Sequence, residues 1–401
     1  MPTSKAAALQ DRVAANFETD QVPFLERLVN AASCSREPED VEAAAALIDA
    51  QAAELGLTVE RVPDPSGVYA DHRVYETARA KEGGPCLALV GHVDTVFPRS
   101  LGFLGFRREG DRAFGPGVLD MKSGLSSIFF ALRATENLGN LPVRVIVNSD
   151  EEVGSPSSAG LFERLAPHTS AALVFEAGRA EDAIITARKG AGGFRVDATG
   201  RAAHSGLAHE RGVNAIAALA IMIGRIEALT DYERGVTLNV GLIEGGTSTN
   251  TVPAQAHARL DARYERPEDR DAIGEALRAA VEEPLPGRLA AAELSLSGRF
   301  HRPAMVATDA NRALLARYAE HALEAGLRAG EAPLQGGGSD ANLLASHGIP
   351  CIDGLGPAGQ GVHRIDEECS LSSLRSRTVA LASFLADWAR RPPFLGADAV
   401  D

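Results

Sequence analysis

C-L-A-L-V-G-H-V-D at Cys86–Asp94 is the stretch whose reading decides the fold. Cys86 to Val90 is a short, uninterrupted apolar run, the pattern of a strand covered on both faces of its sheet. Gly91 ends the run, and His92 and Asp94 follow at once. In open α/β sheets, ligands bind just past the carboxyl ends of the strands. His92 and Asp94 are two residues apart, so an extended chain turns both side chains to one face. One can face a metal while the other supports it, because a ligating histidine usually passes its remaining N–H to a carboxylate. A histidine and an aspartate that merely close a loop would look the same on these two residues alone.

The same ending recurs downstream. P-V-R-V-I-V at Pro142–Val147 reads as a second buried strand and runs into N-S-D-E-E-V-G-S at Asn148–Ser155. A-A-L-V-F at Ala171–Phe175 reads as a third and stops at Glu176. Helices are predicted over about 123–138 and 158–166, over Glu39–Leu55 with Gly56 as its stop, and as one or two amphipathic segments between Lys5 and Asn30. Leu57–Val62 alternates and reads as a strand; residues 63–85 are polar and read as a loop or edge hairpin. Strands alternating with helices predict an α/β domain with a mostly parallel sheet flanked by helices.

The pattern changes near residue 190. Strands are predicted at Gly192–Thr199, Val236–Ile243, Ala254–Tyr264 and Glu293–Ser297, with helices at Asn214–Leu229 and Glu268–Glu282. That order is β-α-β-β-α-β, the split βαβ motif of ferredoxin-like folds. It predicts an insert over 190–301 within a domain made of 1–189 and 302–401. The second part of that domain carries a helix at 309–326, a Gly-rich turn at Gln335–Asn342, a strand at Pro350–Asp353, G-Q-G-V-H-R around His363, and a closing helix at Leu371–Trp388. The final P-P-F-L-G-A-D-A-V-D is expected to fray.

Composition sets further bounds. The 401 residues suit two or three domains, and a hydrophobic content of 45% suits a sizeable core. A net charge of −14 argues against non-specific nucleic-acid binding, which needs a basic surface. Cys34, Cys86, Cys351 and Cys369 are scattered, with no C-x-x-C, which suits a reducing compartment. The N-terminus has no apolar segment of signal length, and no run of about 18 apolar residues could span a membrane. A cytoplasmic enzyme or binding protein is the expectation.

His92, Asp120, Glu151, Glu152, Glu176 and His363 all fall at strand ends or in turns beside them. Two histidines and four carboxylates gathered there would repel and resist burial unless cations join them. Two divalent ions would solve that problem. Mixed nitrogen and oxygen donors without cysteine point to Zn²⁺, with Co²⁺ or Mn²⁺ as alternatives. One histidine and one carboxylate per metal, plus a shared carboxylate, leave a sixth acidic residue as a base. An exposed acidic loop is the ordinary reading of D-E-E taken alone.

G-H-V-D-T-V at 91–96, G-V-L-D-M-K-S-G at 117–124, S-D-E-E-V-G-S at 149–155, F-E-A-G-R at 175–179, A-H-S-G at 203–206 and G-G-G-S-D-A at 336–341 resemble the metallopeptidase family of carboxypeptidase G (glutamate carboxypeptidase), acetylornithine deacetylase and succinyl-diaminopimelate desuccinylase. The resemblance covers nearly the whole chain in order. It implies a zinc-peptidase-type catalytic domain and an inserted dimerisation domain, hence a homodimer. It implies that His92, Asp120 and Glu176 hold one metal, and that Asp120, Glu152 and His363 hold the other. Asp94 would orient His92, Glu151 would be the general base, and His204 would donate a hydrogen bond in the partner subunit's site. Asn250 and Arg263 match positions that grip substrate. In that resemblance, Glu at position 176 favours the glutamate carboxypeptidase, deacetylase and desuccinylase branch, and A-R-K-G at 187–190 leans further toward glutamate carboxypeptidases.

The expected activity is hydrolysis of an amide bond in a small peptide or N-acyl amino acid, releasing a C-terminal amino acid, with glutamate as the leading candidate. The alternative is an N-acyl amino acid deacylase. A non-catalytic binding protein would be expected to lack Glu151 or a ligand, and every one of those positions is filled. Gly336–Gly338 lacks the spacing of either nucleotide-binding glycine motif.

Overall fold

The computed structural model describes residues 4–103 and 105–391; the tail expected to fray, residues 392–401, lies outside them. The chain divides into two compact units. One comprises the chain up to Ala187, Ala307–Gln335 and the chain from Ser339 onward; the other comprises Arg188–Val306 and Gly336–Gly338.

The first unit is built on a six-stranded sheet in the order Thr58–Val62, His72–Glu76, Val143–Asn148, Cys86–His92, Thr169–Val174, Cys351–Ile352. The last four strands run parallel to one another, while Thr58–Val62 and His72–Glu76 join antiparallel. The sheet is therefore mixed, and its parallel part holds the three strands that end in ligand-type residues. His92 lies opposite Asn148, and Val90 lies opposite Val174, so these strands finish on one edge. Every residue of Cys86–His92 is buried, as an uninterrupted apolar run in a covered parallel sheet requires.

The strand His72–Glu76 corrects the loop or edge hairpin expected over 63–85. It lies inside the sheet, with a neighbour on each side. The burial of Arg73 hides the apolar signal. Its guanidinium reaches Glu42 at 2.5 Å and Asp49 at 3.3 Å, and the Tyr75 hydroxyl donates to Asp49 at 2.8 Å. A charged side chain can occupy a buried strand when its partners come from a helix packed on it, here Pro38–Glu54.

The core gathers Leu87, Leu89, Val145 and Leu173 of the sheet with Leu125, Ile128 and Phe129 of helix Ser123–Ala134 and Leu381, Phe384 and Leu385 of helix Leu371–Trp388. Each such side chain contributes about 1.5–3 kcal/mol by leaving water. Gly124, in the first turn of Ser123–Ala134, lies so close to the Phe175 carbonyl that a Cβ would overlap it. Gly91 makes the same allowance for the Met121 side chain. These two glycines let the Asp120 loop lie directly on the strand ends.

The second unit is an antiparallel sheet in the order Thr237–Gly245, Gln255–Tyr264, Gly190–Thr199, Glu293–Arg302, packed with helices Ala215–Glu227 and Asp269–Glu282. The chain order β-α-β-β-α-β with the first strand internal is the ferredoxin-like arrangement. Leu219, Met222 and Ile226 of the first helix bury against Val196, Ala258 and Leu260 of the sheet. The outer strand Thr237–Gly245 leaves Leu242 and Ile243 exposed at 61% and 53%, an unpaired apolar edge. The Gly336–Gly338 run belongs to this unit because the Gly336 and Gly337 carbonyls accept from Arg263 and Arg188. Cys34, Cys86, Cys351 and Cys369 are buried free thiols. Among the described residues, no helix is long and apolar enough to cross a membrane.

Candidate metal centre

His92 is the last residue of its strand, and its side chain is fully enclosed, with 1% exposed. Nδ1 lies 3.0 Å from the Asp94 carbonyl oxygen and 3.3 Å from the Asp94 carboxylate. That occupies one ring nitrogen and aims the other, Nε2, away from Asp94. Nε2 lies 3.3 Å from Asp120 Oδ1 and 3.7 Å from Glu176 Oε1. Glu176 stands two residues beyond strand Thr169–Val174. Asp120 stands on the loop just before helix Ser123–Ala134, and its peptide bond to Met121 is cis.

The other oxygen of Asp120 faces a second group. His363 Nε2 lies 3.4 Å from Asp120 Oδ2 and 3.0 Å from Glu152 Oε2. Glu152 sits on the single turn Glu151–Val153 that follows strand Val143–Asn148. His92, Asp120 and Glu176 thus form one set whose ligand atoms all lie within 4.8 Å of one another, and Asp120, Glu152 and His363 form another. Two ligand sets sharing one carboxylate support a pair of metal ions.

The buried atoms themselves fit such ions. His92 Nε2 and Asp120 Oδ1 are buried and, although 3.3 Å apart, make no well-aligned hydrogen bond to each other or to any other group among the described residues. A cation between them removes that cost. The electrostatics agree. Burial opposes ionisation of Asp120, yet His363 and His92 at its two oxygens hold its carboxyl well below the usual range. Burial, followed by the charge of Asp120, pushes Glu176 well above its ordinary value, and burial likewise raises Glu152. Asp120 and Glu152 lift His363 to about 10. Burial disfavours the His92 cation, but Asp120 and Asp94 outweigh it and raise His92 as well. Without a metal, protons on the two imidazoles balance the carboxylates.

Asp94 does more than hold His92. Its carboxylate accepts from Ser35 Oγ at 2.6 Å and from the backbone N–H groups of Glu151 and Glu152 at 3.3 and 3.2 Å. One aspartate therefore aligns a candidate ligand histidine and the Glu151–Glu152 turn. Glu151 lies close enough to raise Glu176 by its charge. Sequence reasoning missed Ser35, Lys122 and Glu367. Lys122 is buried, and its Nζ donates to the Ala31 carbonyl at 2.8 Å; burial lowers it to about 7. Ser35 carries no readable signal in the sequence, and Glu367 stands in an acidic run, Asp366–Glu367–Glu368, that by itself reads as an exposed turn.

The remaining expected residues lie in the second unit. The short strands Ala203–His204 and Thr251–Val252 pair antiparallel, with His204 opposite Thr251, and the Ser205 N–H donates to the Asn250 carbonyl at 2.9 Å. This brings His204 and Asn250 together. His204 Nδ1 accepts from the Gly206 N–H at 3.2 Å, which leaves the ring proton on Nε2. Arg263 is held side-on by Asp261 at 2.7 and 2.9 Å, with Nη1 3.3 Å from the Gly336 carbonyl.

Residues 186–288 match the peptidase dimerisation domain of the M20 family. The M20 family metallo-carboxypeptidase of Sulfolobus solfataricus shares the fold, with a TM-score of 0.75 at 18% identity over 93% of this chain and 100% of that one. So does a dinuclear metal-binding M20 peptidase of Bacillus subtilis, with a TM-score of 0.68 at 18% identity over 94% and 99%. Carboxypeptidase G2 of Pseudomonas sp. (strain RS-16) is 32% identical over 391 residues, spanning 95% of this chain and 93% of that protein. With a relative that similar along almost its full length, this chain belongs to the M20 metallopeptidase family that includes carboxypeptidase G2, and it is a metal-dependent peptide hydrolase.

Proposed function

We propose that this protein is a two-zinc carboxypeptidase that releases a C-terminal amino acid bearing a free α-carboxylate, glutamate foremost, from a small peptide or N-acyl amino acid. The observation that carries this reading is the division of Asp120, one oxygen toward His92 and Glu176 and the other toward Glu152 and His363. The similarity to carboxypeptidase G2 supports the choice of a carboxypeptidase. His92, Asp120 and Glu176 hold one ion in this reading, and Asp120, Glu152 and His363 hold the other. Bound Zn²⁺ supplies Lewis acidity, polarising the scissile carbonyl and lowering the pKa of water at the site toward ~7.

The residues of the chain do the rest. Glu151, beside the ligands but not among either set, takes the proton of the attacking water and delivers it to the departing amine. His204, with its proton on Nε2, donates to the developing oxyanion, and the paired Asn250 places a neutral amide next to it. Arg263, oriented by Asp261, reads the α-carboxylate, since a guanidinium pairs with a carboxylate in two parallel bonds. The homodimer expected of the insert would bring His204 to the partner's metals, with the apolar edge at Leu242 and Ile243 as a surface suited to pairing.

A two-by-two comparison tests the reading: wild type and Arg263→Ala, each with a free-acid substrate and its α-amide. The expected result is a selective loss in kcat/KM on the free acid, of several kcal/mol at most, since charge-assisted hydrogen bonds are worth ~1.5–3 kcal/mol each. Equal losses on both substrates would remove Arg263 as the carboxylate reader. A wild type that cleaves the amide as well as the acid would remove the carboxypeptidase reading itself.

A further inference from the structure

We propose that Glu367 is a positioning residue that locks the two ligand loops of the Asp120–Glu152–His363 set to each other. The inference rests on the reading that these residues hold metal. Glu367 is fully buried, and its carboxylate is spent on the backbone of the Asp120 loop. Oε1 accepts from the N–H groups of Leu119 at 2.7 Å and Asp120 at 3.0 Å, and Oε2 lies 3.4 Å from the Gly117 nitrogen. In the other direction, the Gly115 N–H donates to the Glu367 carbonyl at 3.4 Å. The loop that carries the shared carboxylate is thus gripped at Gly115, Gly117, Leu119 and Asp120 by one residue.

The same residue closes the loop that carries His363. The Arg364 N–H donates to Gly361 O at 2.8 Å, and the Glu367 N–H donates to Arg364 O at 3.1 Å, so His363 lies within the first of two consecutive turns and Glu367 ends the second. His363 itself has a φ of 63°, a left-handed backbone that a non-glycine residue keeps only when its surroundings impose it. Its side chain is 52% exposed, far more than the 1% of His92. His92 is held by the strand that ends on it and by Asp94. His363 is instead held by these turns, and Glu367 ends them. A carboxylate at 367 serves all three amide donors of the facing loop at once. Glutamine offers one acceptor oxygen and would turn an N–H₂ toward the Gly117 N–H. Alanine offers none. Removing Glu367 therefore loosens both the Asp120 loop and the His363 turn, so the Asp120–Glu152–His363 set loses the anchors of two ligands, whereas in the other set only Asp120 is affected and His92 and Glu176 keep the strand ends beneath them.

The test uses full-length protein stripped of metal and titrated with Co²⁺, followed by equilibrium dialysis and by the visible absorption bands that report ligand geometry. Wild type, Glu367→Gln, Glu367→Ala and Asp387→Asn are compared, and the melting temperature of each metal-free form is recorded. Asp387 is a buried carboxylate of the same unit, paired with Arg317 at 3.0 Å and outside both ligand sets, so it controls for general destabilisation. The expected result is that Glu367→Ala binds the second equivalent of Co²⁺ 10–100-fold more weakly, the usual effect of losing a group that orients metal ligands, while the first equivalent changes by only a few fold. Glu367→Gln should fall between the two, with altered absorption bands, and it carries the test if the alanine variant fails to fold. Wild-type affinities and unchanged bands in the Glu367 variants would overturn the inference, as would an equal loss in Asp387→Asn. A wild type that binds fewer than two Co²⁺ would instead overturn the two-metal reading, and the inference with it.

Discussion

At the scale of single residues, the centre is defined by what each polar atom faces. His92 gives Nδ1 to Asp94, which leaves Nε2 one direction in which to act. Asp120 gives one oxygen to each histidine. These pairings raise both imidazoles, His363 to about 10, so both carry protons at pH 7 in the metal-free protein. A metal ligates only neutral imidazole, so binding must displace those protons. Adding two equivalents of Zn²⁺ to the metal-free protein in weakly buffered solution at about pH 7 should therefore release protons, read with an indicator dye. The sign follows from the raised values: affinity rises with pH as the competing protons leave, and continues to rise until the pH passes that of His363. Proton release of zero would mean that neither histidine ligates.

At the scale of elements, strand ends and the turns after them place chemistry. Parallel strands Val143–Asn148, Cys86–His92 and Thr169–Val174 stop on one edge, and each is followed within a few residues by an acidic group or ends on a histidine. The turn Glu151–Val153 presents two adjacent glutamates, and Asp94 pins both of their N–H groups. Glu152 joins His363 at 3.0 Å, with 5% of its side chain exposed, whereas Glu151 belongs to neither ligand set. Glu151→Gln should keep metal content near that of wild type while kcat falls by ~10²–10⁴, the usual worth of general acid–base catalysis. Glu152→Gln should instead lower metal content. Metal analysis beside steady-state kinetics decides the matter, and exchanged phenotypes would reverse the two roles.

At the scale of the whole molecule, the candidate ligand sets and the proposed carboxylate reader occur in different units of the chain. The first unit contains His92, Asp120, Glu151, Glu152, Glu176 and His363; the second contains His204, Asn250 and Arg263. If His204 serves the partner's site, a chain inactivated by His204→Ala and a chain inactivated by Glu151→Gln carry complementary defects. Mixed dimers then contain one site in which both residues are intact. Co-refolding or co-expressing the two variants should recover up to about half of wild-type activity per mixed dimer, measured after isolating heterodimers by distinct affinity tags. Isolated heterodimers without activity would place His204 in its own subunit's site or outside catalysis.

The sequence by itself determined the strands whose cores are uninterrupted apolar runs, the β-α-β-β-α-β order of the insert, and the residue types at the strand ends. Those features are local: burial on both faces demands Leu, Val and Ala in series, and a turn follows where the series stops. It could not reveal strand His72–Glu76, because Arg73 is buried only through Glu42 and Asp49 on a helix, 31 and 24 residues earlier, and no local pattern records such a partner. Only the tertiary structure decided which oxygen of Asp120 faces which histidine, and that Asp94 serves the Glu151–Glu152 turn as well as His92. Only it brought Glu367 beneath Asp120, across 247 residues of chain, and His204 beside Asn250. Hydrogen bonds of this kind depend on the positions of loops laid down by packing elsewhere, so residue identity announces the chemistry while the fold alone selects the partner of each atom.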